Sequence, residues 1–143
     1  MKKIKAYGVC IYKKIKNGYE VLLCKSVKSE HKWGFLKGVQ ISDETPEQTA
    51  LREFIEESSI KIDIKYFEDY FYQENETKDI GIYIYNSKNI PNLDKYFQDN
   101  QLKKQYLSSE NSEVRFFNIN NLPPIKTKQT QLIKKVIGIL TPN

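Results

Sequence analysis

The chain of 143 residues reads as an α+β domain, and three observations lead there. Asn17-Gly18 stands between two stretches rich in β-branched and aromatic residues, the strongest short-range signal for a hairpin. Thr45-Pro46 followed by Gln48 opens an amphipathic helix in mid-chain, with Thr45 at the N-cap, Pro46 at the first helical position and Gln48 closing a capping box. After further strand-like segments, Leu132, Ile133, Val136, Ile137 and Leu140 form a second apolar helical stripe. Strands, helix, strands, helix is an α+β order.

Length and composition place residues 1–143 in a single domain with a core of its own. No apolar run approaches a membrane span, and the apolar part of the first seven residues is too short for a signal peptide. The two cysteines, Cys10 and Cys24, fall in expected strands without metal-ligating neighbours and read as reduced core residues. A cytoplasmic location is the expectation. The formal charge of +5 does not argue for nucleic acid, since all but two of the basic residues are lysine. Its distribution is more informative: residues 1–40 carry ten lysines against two acids, residues 41–80 four basic residues against twelve acids, and residues 81–143 nine against four. An acidic centre flanked by lysines suits a metal site that also receives a polyphosphate.

In chain order, residues 4–15 and 19–27 are the hairpin strands, followed by a polar loop over residues 28–32. His31 is the only histidine, which excludes histidine metal clusters, and it reads as a passive loop residue. Residues 33–38 form a short strand leading into the helix; Trp33 reads as packing, with base stacking as the alternative. Residues 61–74 and 79–86 are two strands around a turn at 75–78. In them Tyr70 and Tyr72, and Tyr83 and Tyr85, recur with period two, so each pair shares a face of the sheet. Tyr83 and Tyr85 are candidates to stack a nucleobase, although core packing is the commoner role of such residues. Residues 87–112 hint at a short helical insertion, residues 109–117 resume strand character, and the last helix runs over about 126–140.

The residues that carry chemistry cluster around the mid-chain helix. Gly38, Glu44, Arg52, Glu53, Glu56 and Glu57 follow the spacing G-x5-E-x7-R-E-x2-E-E. On a helical wheel at about 100° per residue, Ala50, Leu51, Phe54 and Ile55 form one apolar arc and Glu53, Glu56 and Glu57 lie together on the other side. Arg52 stands one turn before Glu56 and can pair with it. Three clustered acids repel one another unless cations occupy the gap, and hard divalent cations take oxygen ligands of this kind. An ordinary solvated acidic face is the alternative, which the fixed positions of Gly38 and Glu44 upstream oppose.

This pattern closely resembles the signature of the Nudix hydrolases, G-x5-E-x7-R-E-U-x-E-E-x-G-U with U a bulky apolar residue. Phe54 and Ile60 match two of the U positions, and Ser59 stands where the family has its last glycine. That glycine ends the helix in a left-handed conformation that serine enters less readily, so Ser59 is expected to cost about 1–2 kcal/mol in strain or to shift the helix terminus, without loss of activity. The resemblance implies an α/β/α sandwich around a mixed sheet. It also implies hydrolysis of a phosphoanhydride in a nucleoside diphosphate linked to another group, with Mg²⁺ (or Mn²⁺) as cofactor. Glu53, Glu56 and Glu57 would hold the metal, with the backbone carbonyl of Lys37 and Gly38 nearby and Glu44 in an outer shell. Arg52 would orient a carboxylate and Lys37 reach a phosphate. An extra glutamate precedes the last strand in many members; Glu110 matches best here, Glu113 is the alternative, and Asn111 stands where histidine is common. Glu53, Glu56 and Glu110 remain alternatives for the general base. A dinucleoside polyphosphate such as diadenosine tetraphosphate is the expected substrate. Triphosphorylated RNA 5′ ends are the runner-up, oxidised nucleoside triphosphates and ADP-ribose rank lower, and a non-catalytic nucleotide-binding regulator is the rival from another class. The sequence does not speak to oligomeric state.

Overall fold

The structure is a computed structural model that describes residues 3–28 and 31–141. Ser29 and Glu30, in the expected polar loop, and residues 1–2 and 142–143 lie outside the described residues. Eight strands build one mixed sheet: β1 (Ile4–Ile15), β2 (Gly18–Ser26), β3 (Leu36–Val39), β4 (Tyr70–Gln73), β5 (Lys78–Asn86), β6 (Phe97–Gln98), β7 (Gln101–Leu102) and β8 (Asn111–Asn118). Their order is β4-β5-β1-β2-β8-β7-β6, with β3 also paired to β1. β1 and β5 run parallel and the remaining pairs are antiparallel. Two helices, α1 (Pro46–Ser58) and α2 (Thr130–Leu140), complete the domain.

The period-two alternation of the central strands sorts their side chains between two cores. Tyr7, Val9, Ile11, Leu22 and Phe116 bury with Ala50 and Phe54 of α1. Cys10, Val21, Leu23, Ile80, Ile82 and Ile84 bury with Leu132, Ile133 and Val136 of α2. A sheet apolar on both faces and covered by a helix on each is the α/β/α sandwich expected from the sequence. Both cysteines are buried and unbonded to one another.

Helix α1 starts as its sequence dictates. Thr45 Oγ1 accepts the Gln48 N–H at 3.2 Å and Gln48 Oε1 accepts the Thr45 N–H at 2.9 Å, a reciprocal capping box. It ends at Ser59, which is left-handed with φ 63°. Here serine does something glycine cannot: its hydroxyl donates to the Tyr106 carbonyl at 3.1 Å, tying the segment before β8 to the end of the helix.

Three expected elements differ. The strand expected over 61–74 shrinks to Tyr70–Gln73, because Asp63 accepts the Lys65 N–H at 3.0 Å and caps a 3-10 turn at Ile64–Tyr66. The short strand of residues 33–38 is displaced to Leu36–Val39, with Trp33 and Gly34 making single bridges to Ile125 and Cys24. The expected helical insertion is instead a series of 3-10 turns around the small β6-β7 hairpin, whose turn residues Asp99 and Asn100 both have positive φ.

One organising residue carries no local signal. Gln73 is buried at the end of β4, and its Oε1 accepts the N–H of Gln131 at 2.9 Å and of Leu132 at 3.3 Å. It thereby satisfies two of the orphan donors at the start of α2 from a strand 58 residues away.

Because Ser59 combines left-handed strain with a useful hydroxyl, two substitutions separate the effects. Ser59→Ala keeps the strain and loses the bond, and should lower stability by about 1 kcal/mol. Ser59→Gly loses the bond but relieves strain of similar size, and should leave stability within about 0.5 kcal/mol. Denaturant melts of both variants check this; equal losses would mean that the backbone at Ser59 is unstrained.

Candidate active site

A cleft of about 590 Å³ opens where α1 faces β3 and the start of β8, lined by Lys37, Gly38, Glu53, Glu57, Glu110 and Asn111 among others. Helix α1 contributes its acids unequally. Glu57 is buried and lines the cleft, Glu53 is partly buried beside it, and Glu56 is exposed and absent from the lining. The gradient follows the wheel: Glu57 lies next to the fully buried Ala50 in angle, whereas Glu56 lies farthest round toward solvent. The three carboxylates therefore do not share one solvated arc. Two face the cleft and one flanks it.

Arg52 holds this arrangement. Its Nε and Nη2 donate to the two carboxylate oxygens of Glu44 at 2.6 and 3.0 Å, a bidentate pair. Nη1 donates to Glu53 at 2.8 Å and to Glu56 at 3.3 Å, and Nη2 also reaches the Val39 carbonyl at 3.2 Å. The i,i+4 contact to Glu56 expected from the sequence is present, yet Glu44 is the principal partner. Glu44 further accepts the Thr49 hydroxyl at 2.8 Å and the Ile41 N–H at 3.2 Å. These bonds, led by that from Arg52, hold its carboxyl at about 2. Glu44 lies outside the cleft lining and braces Arg52, which in turn fixes Glu53.

Gly38 is required by close approach. A Cβ at this position would fall on the Glu53 carboxylate, so only glycine lets β3 run beneath it. Glu57 is held by β8. Asn111, buried at the start of β8, donates its amide to Glu57 Oε1 at 3.2 Å. Burial pushes the Glu57 carboxyl up to about 8, against the lowering effect of that bond. Burial also raises Glu53. Across the cleft, burial and then repulsion from Lys78 and Lys126 lower the Lys37 ammonium to about 8.

Glu110 lines the cleft, whereas Glu113 pairs with Lys25 at 2.9 Å outside it, so the geometry favours Glu110 as the extra glutamate. Tyr83 and Tyr85 are not brought to the cleft. Tyr85 is fully buried and its hydroxyl accepts the Asp63 N–H at 3.3 Å. Tyr83 stacks on Phe67 at 4.7 Å and tilts against Tyr70 at 4.6 Å. Their shared face is the one that α1 covers, so the rings belong to the core and have no free face turned to the cleft. Trp33 is likewise buried, edge-on to Phe117 at 4.7 Å.

The donor set suits a hard cation in its chemistry, being carboxylate oxygens. Among the described residues, no three acidic, histidine or cysteine side chains converge closely enough to enclose an ion unaided. A cation here would complete its shell with water or phosphate oxygens, as Mg²⁺ commonly does.

A mixed sheet between two helices, with an acid-bearing helix turned to one cleft, defines the class of protein. The chain belongs to the Nudix hydrolase family, whose NUDIX domain model matches residues 4–136. Comparison with curated proteins gives no match. Among solved structures the chain is similar to a C. elegans Ap4A hydrolase in a binary complex, at 22% identity and TM-score 0.66 over 96% of this chain and 97% of that one. It is similar to the NUDIX domain of Shewanella oneidensis NrtR complexed with ADP ribose, at 19% identity and TM-score 0.68 over 99% and 90%. A UDP-X diphosphatase matches at 17% identity and TM-score 0.63 over 95% and 63%. At these identities the likeness is one of fold.

The raised Glu57 carboxyl has a signed consequence for the metal-free protein. Its folded value lies above the ordinary 4.5, so its contribution to stability is complete below pH 4.5 and is lost as pH rises through about 8. Lys37, lowered to about 8 in the fold, begins to titrate only at the top of that window and there adds a slope of the opposite sign. Melting temperatures in EDTA should therefore fall more steeply between pH 5 and 7 in the wild type than in Glu57→Gln. Parallel curves would show that Glu57 is ionised throughout.

Proposed function

We propose that this chain hydrolyses a phosphoanhydride bond in a nucleoside diphosphate linked to another group, with Mg²⁺ or Mn²⁺ as cofactor, and that its substrate is a dinucleoside polyphosphate such as diadenosine tetraphosphate. The observation that carries the reading is the lining of one cleft by both acids, Glu53, Glu57 and Glu110, and lysines, Lys37, Lys78 and Lys126. Such a cleft matches a cation bound by its acids and a polyphosphate met by its lysines.

Glu53 and Glu57 are the side chains that would hold the metal, with the Lys37 carbonyl and Gly38 at the same lip and Glu56 at the outer edge. A divalent cation there supplies neutralisation of phosphate charge and a water of lowered pKa. Arg52 keeps Glu53 aimed and Asn111 keeps Glu57 in place. Among the described residues, no ion pair engages Glu110, and we assign it the task of taking the proton from the attacking water. Lys37 steadies the phosphates. Retention of every acid of the motif supports catalysis over a purely regulatory role, and the absence of a long apolar helix among the described residues agrees with a substrate met in water.

The similarity in fold to the C. elegans Ap4A hydrolase, over nearly the whole of both chains, supports the dinucleoside choice. Triphosphorylated RNA is the reading to test against it.

Glu53→Gln and Glu57→Gln should each lower kcat at least about 100-fold with the fold intact. Glu110→Gln should lower it about 100-fold or more, and Glu113→Gln should leave it unchanged. Product analysis by mass on diadenosine tetraphosphate, a 5′-triphosphate oligonucleotide and ADP-ribose, with Mg²⁺ and with EDTA, checks both substrate and metal. Cleavage of none of them, or rates insensitive to EDTA, would refute the reading.

A further inference from the structure

Beside the acidic cleft lies a second cavity of about 380 Å³, lined by Lys37, Lys78, Lys126, Thr127, Lys128 and Gln129 among others. Lys37, Lys78 and Lys126 line both cavities, so the two form one continuous groove. Among the described residues, no acidic or aromatic side chain lines the second one. We propose that this lysine groove is a distal phosphate subsite, which holds the phosphate chain where it continues past the bond placed at Glu53 and Glu57. The enzyme then selects substrates by the number of contiguous phosphates.

The convergence is built by the fold. Lys37 comes from β3, Lys78 opens β5, and Lys126 follows Ile125, which bridges Trp33 while the Lys126 N–H donates to the Trp33 carbonyl at 2.9 Å. The Asn75 amide donates to the Lys78 carbonyl at 2.9 Å and to the Lys128 carbonyl at 3.1 Å, clamping those two lysine backbones to one side chain. Lysines that serve only solubility stand apart in water, but Lys37, Lys78 and Lys126 are half-buried. Among the described residues, no ion pair engages Lys37, Lys78, Lys126 or Lys128. Like charges brought together, half-desolvated and engaged by no ion pair, favour an anion. Gln129 adds a neutral donor: it is buried, its Oε1 accepts the Phe35 N–H at 2.7 Å, and it lines the cavity.

Contiguous phosphates fit better than a nucleic-acid strand. Single strands are held by aromatic faces that stack bases along a charged track, and the described residues of this cavity offer none. Lysine also suits a phosphate chain, which it meets as a point charge without a fixed fork.

The inference rests on the hydrolytic reading above, and the test separates the two. Lys128 lines only the second cavity, so Lys128→Glu reports on the groove alone, with Lys128→Gln as the milder variant. For adenosine tetraphosphate, Lys128→Glu should raise KM at least tenfold with kcat within twofold, and Lys128→Gln should raise it less. For ADP-ribose both parameters should stay within twofold. Inorganic tetraphosphate, titrated calorimetrically in EDTA, should bind Lys128→Glu at least fivefold more weakly than the wild type. Equal effects on long and short substrates, or none, would overturn the proposal, as would a loss confined to a 5′-triphosphate oligonucleotide. Weakened tetraphosphate binding in a protein that cleaves no nucleotide would sink the hydrolytic reading and leave the subsite standing.

Discussion

The guanidinium of Arg52 is the contact on which the site depends. It gathers Glu44, Glu53 and Glu56 around one planar cation, with Glu44 gripped by two parallel bonds. Without it, three acids on neighbouring turns would repel one another and sample many rotamers. With it, Glu53 is fixed over Gly38, and the helix can present carboxylates to a cleft instead of turning them outward. Lysine could not substitute, because one point charge cannot make a bidentate pair with Glu44 while also reaching Glu53.

Around that clamp the domain separates charge by element. Acids come from α1 and the turn before β8. The opposing lysines come from β3, from the start of β5 and from the stretch leading into α2, brought together by the parallel pairing of β1 with β5 and by the bridge between Trp33 and Ile125. Burial then raises the Glu57 carboxyl and lowers the Lys37 ammonium, so each side of the cleft resists its own charge. A cation on one side and a polyanion on the other would relieve both strains together.

What was legible in the sequence was local. The hairpin at Asn17-Gly18, the capping box at Thr45 and Gln48 and the second helix all rest on contacts within a few residues, and each is present. The spacing from Gly38 to Glu57 likewise locates the helix acids and the glycine beneath them. Depth was not legible. A helical wheel treats Glu53, Glu56 and Glu57 alike, whereas the angle at which α1 settles on the sheet buries one and exposes another. The same holds for Tyr83 and Tyr85, whose common face is correctly read but lies under α1. Gln73, Asn75 and the lysine groove were invisible because their partners are far along the chain; an isolated Gln in a strand of aromatics, at most, hints at a buried polar task.

The central claim is that Glu53 and Glu57 jointly hold a divalent cation in this cleft, and Mn²⁺ binding tests it most directly. Titration of Mn²⁺ followed by electron paramagnetic resonance counts free ion without requiring any substrate. The account predicts saturable binding to the wild type, weakened at least tenfold in Glu53→Gln and in Glu57→Gln and unchanged in Glu113→Gln. Affinities indifferent to Glu53 and Glu57 would contradict it.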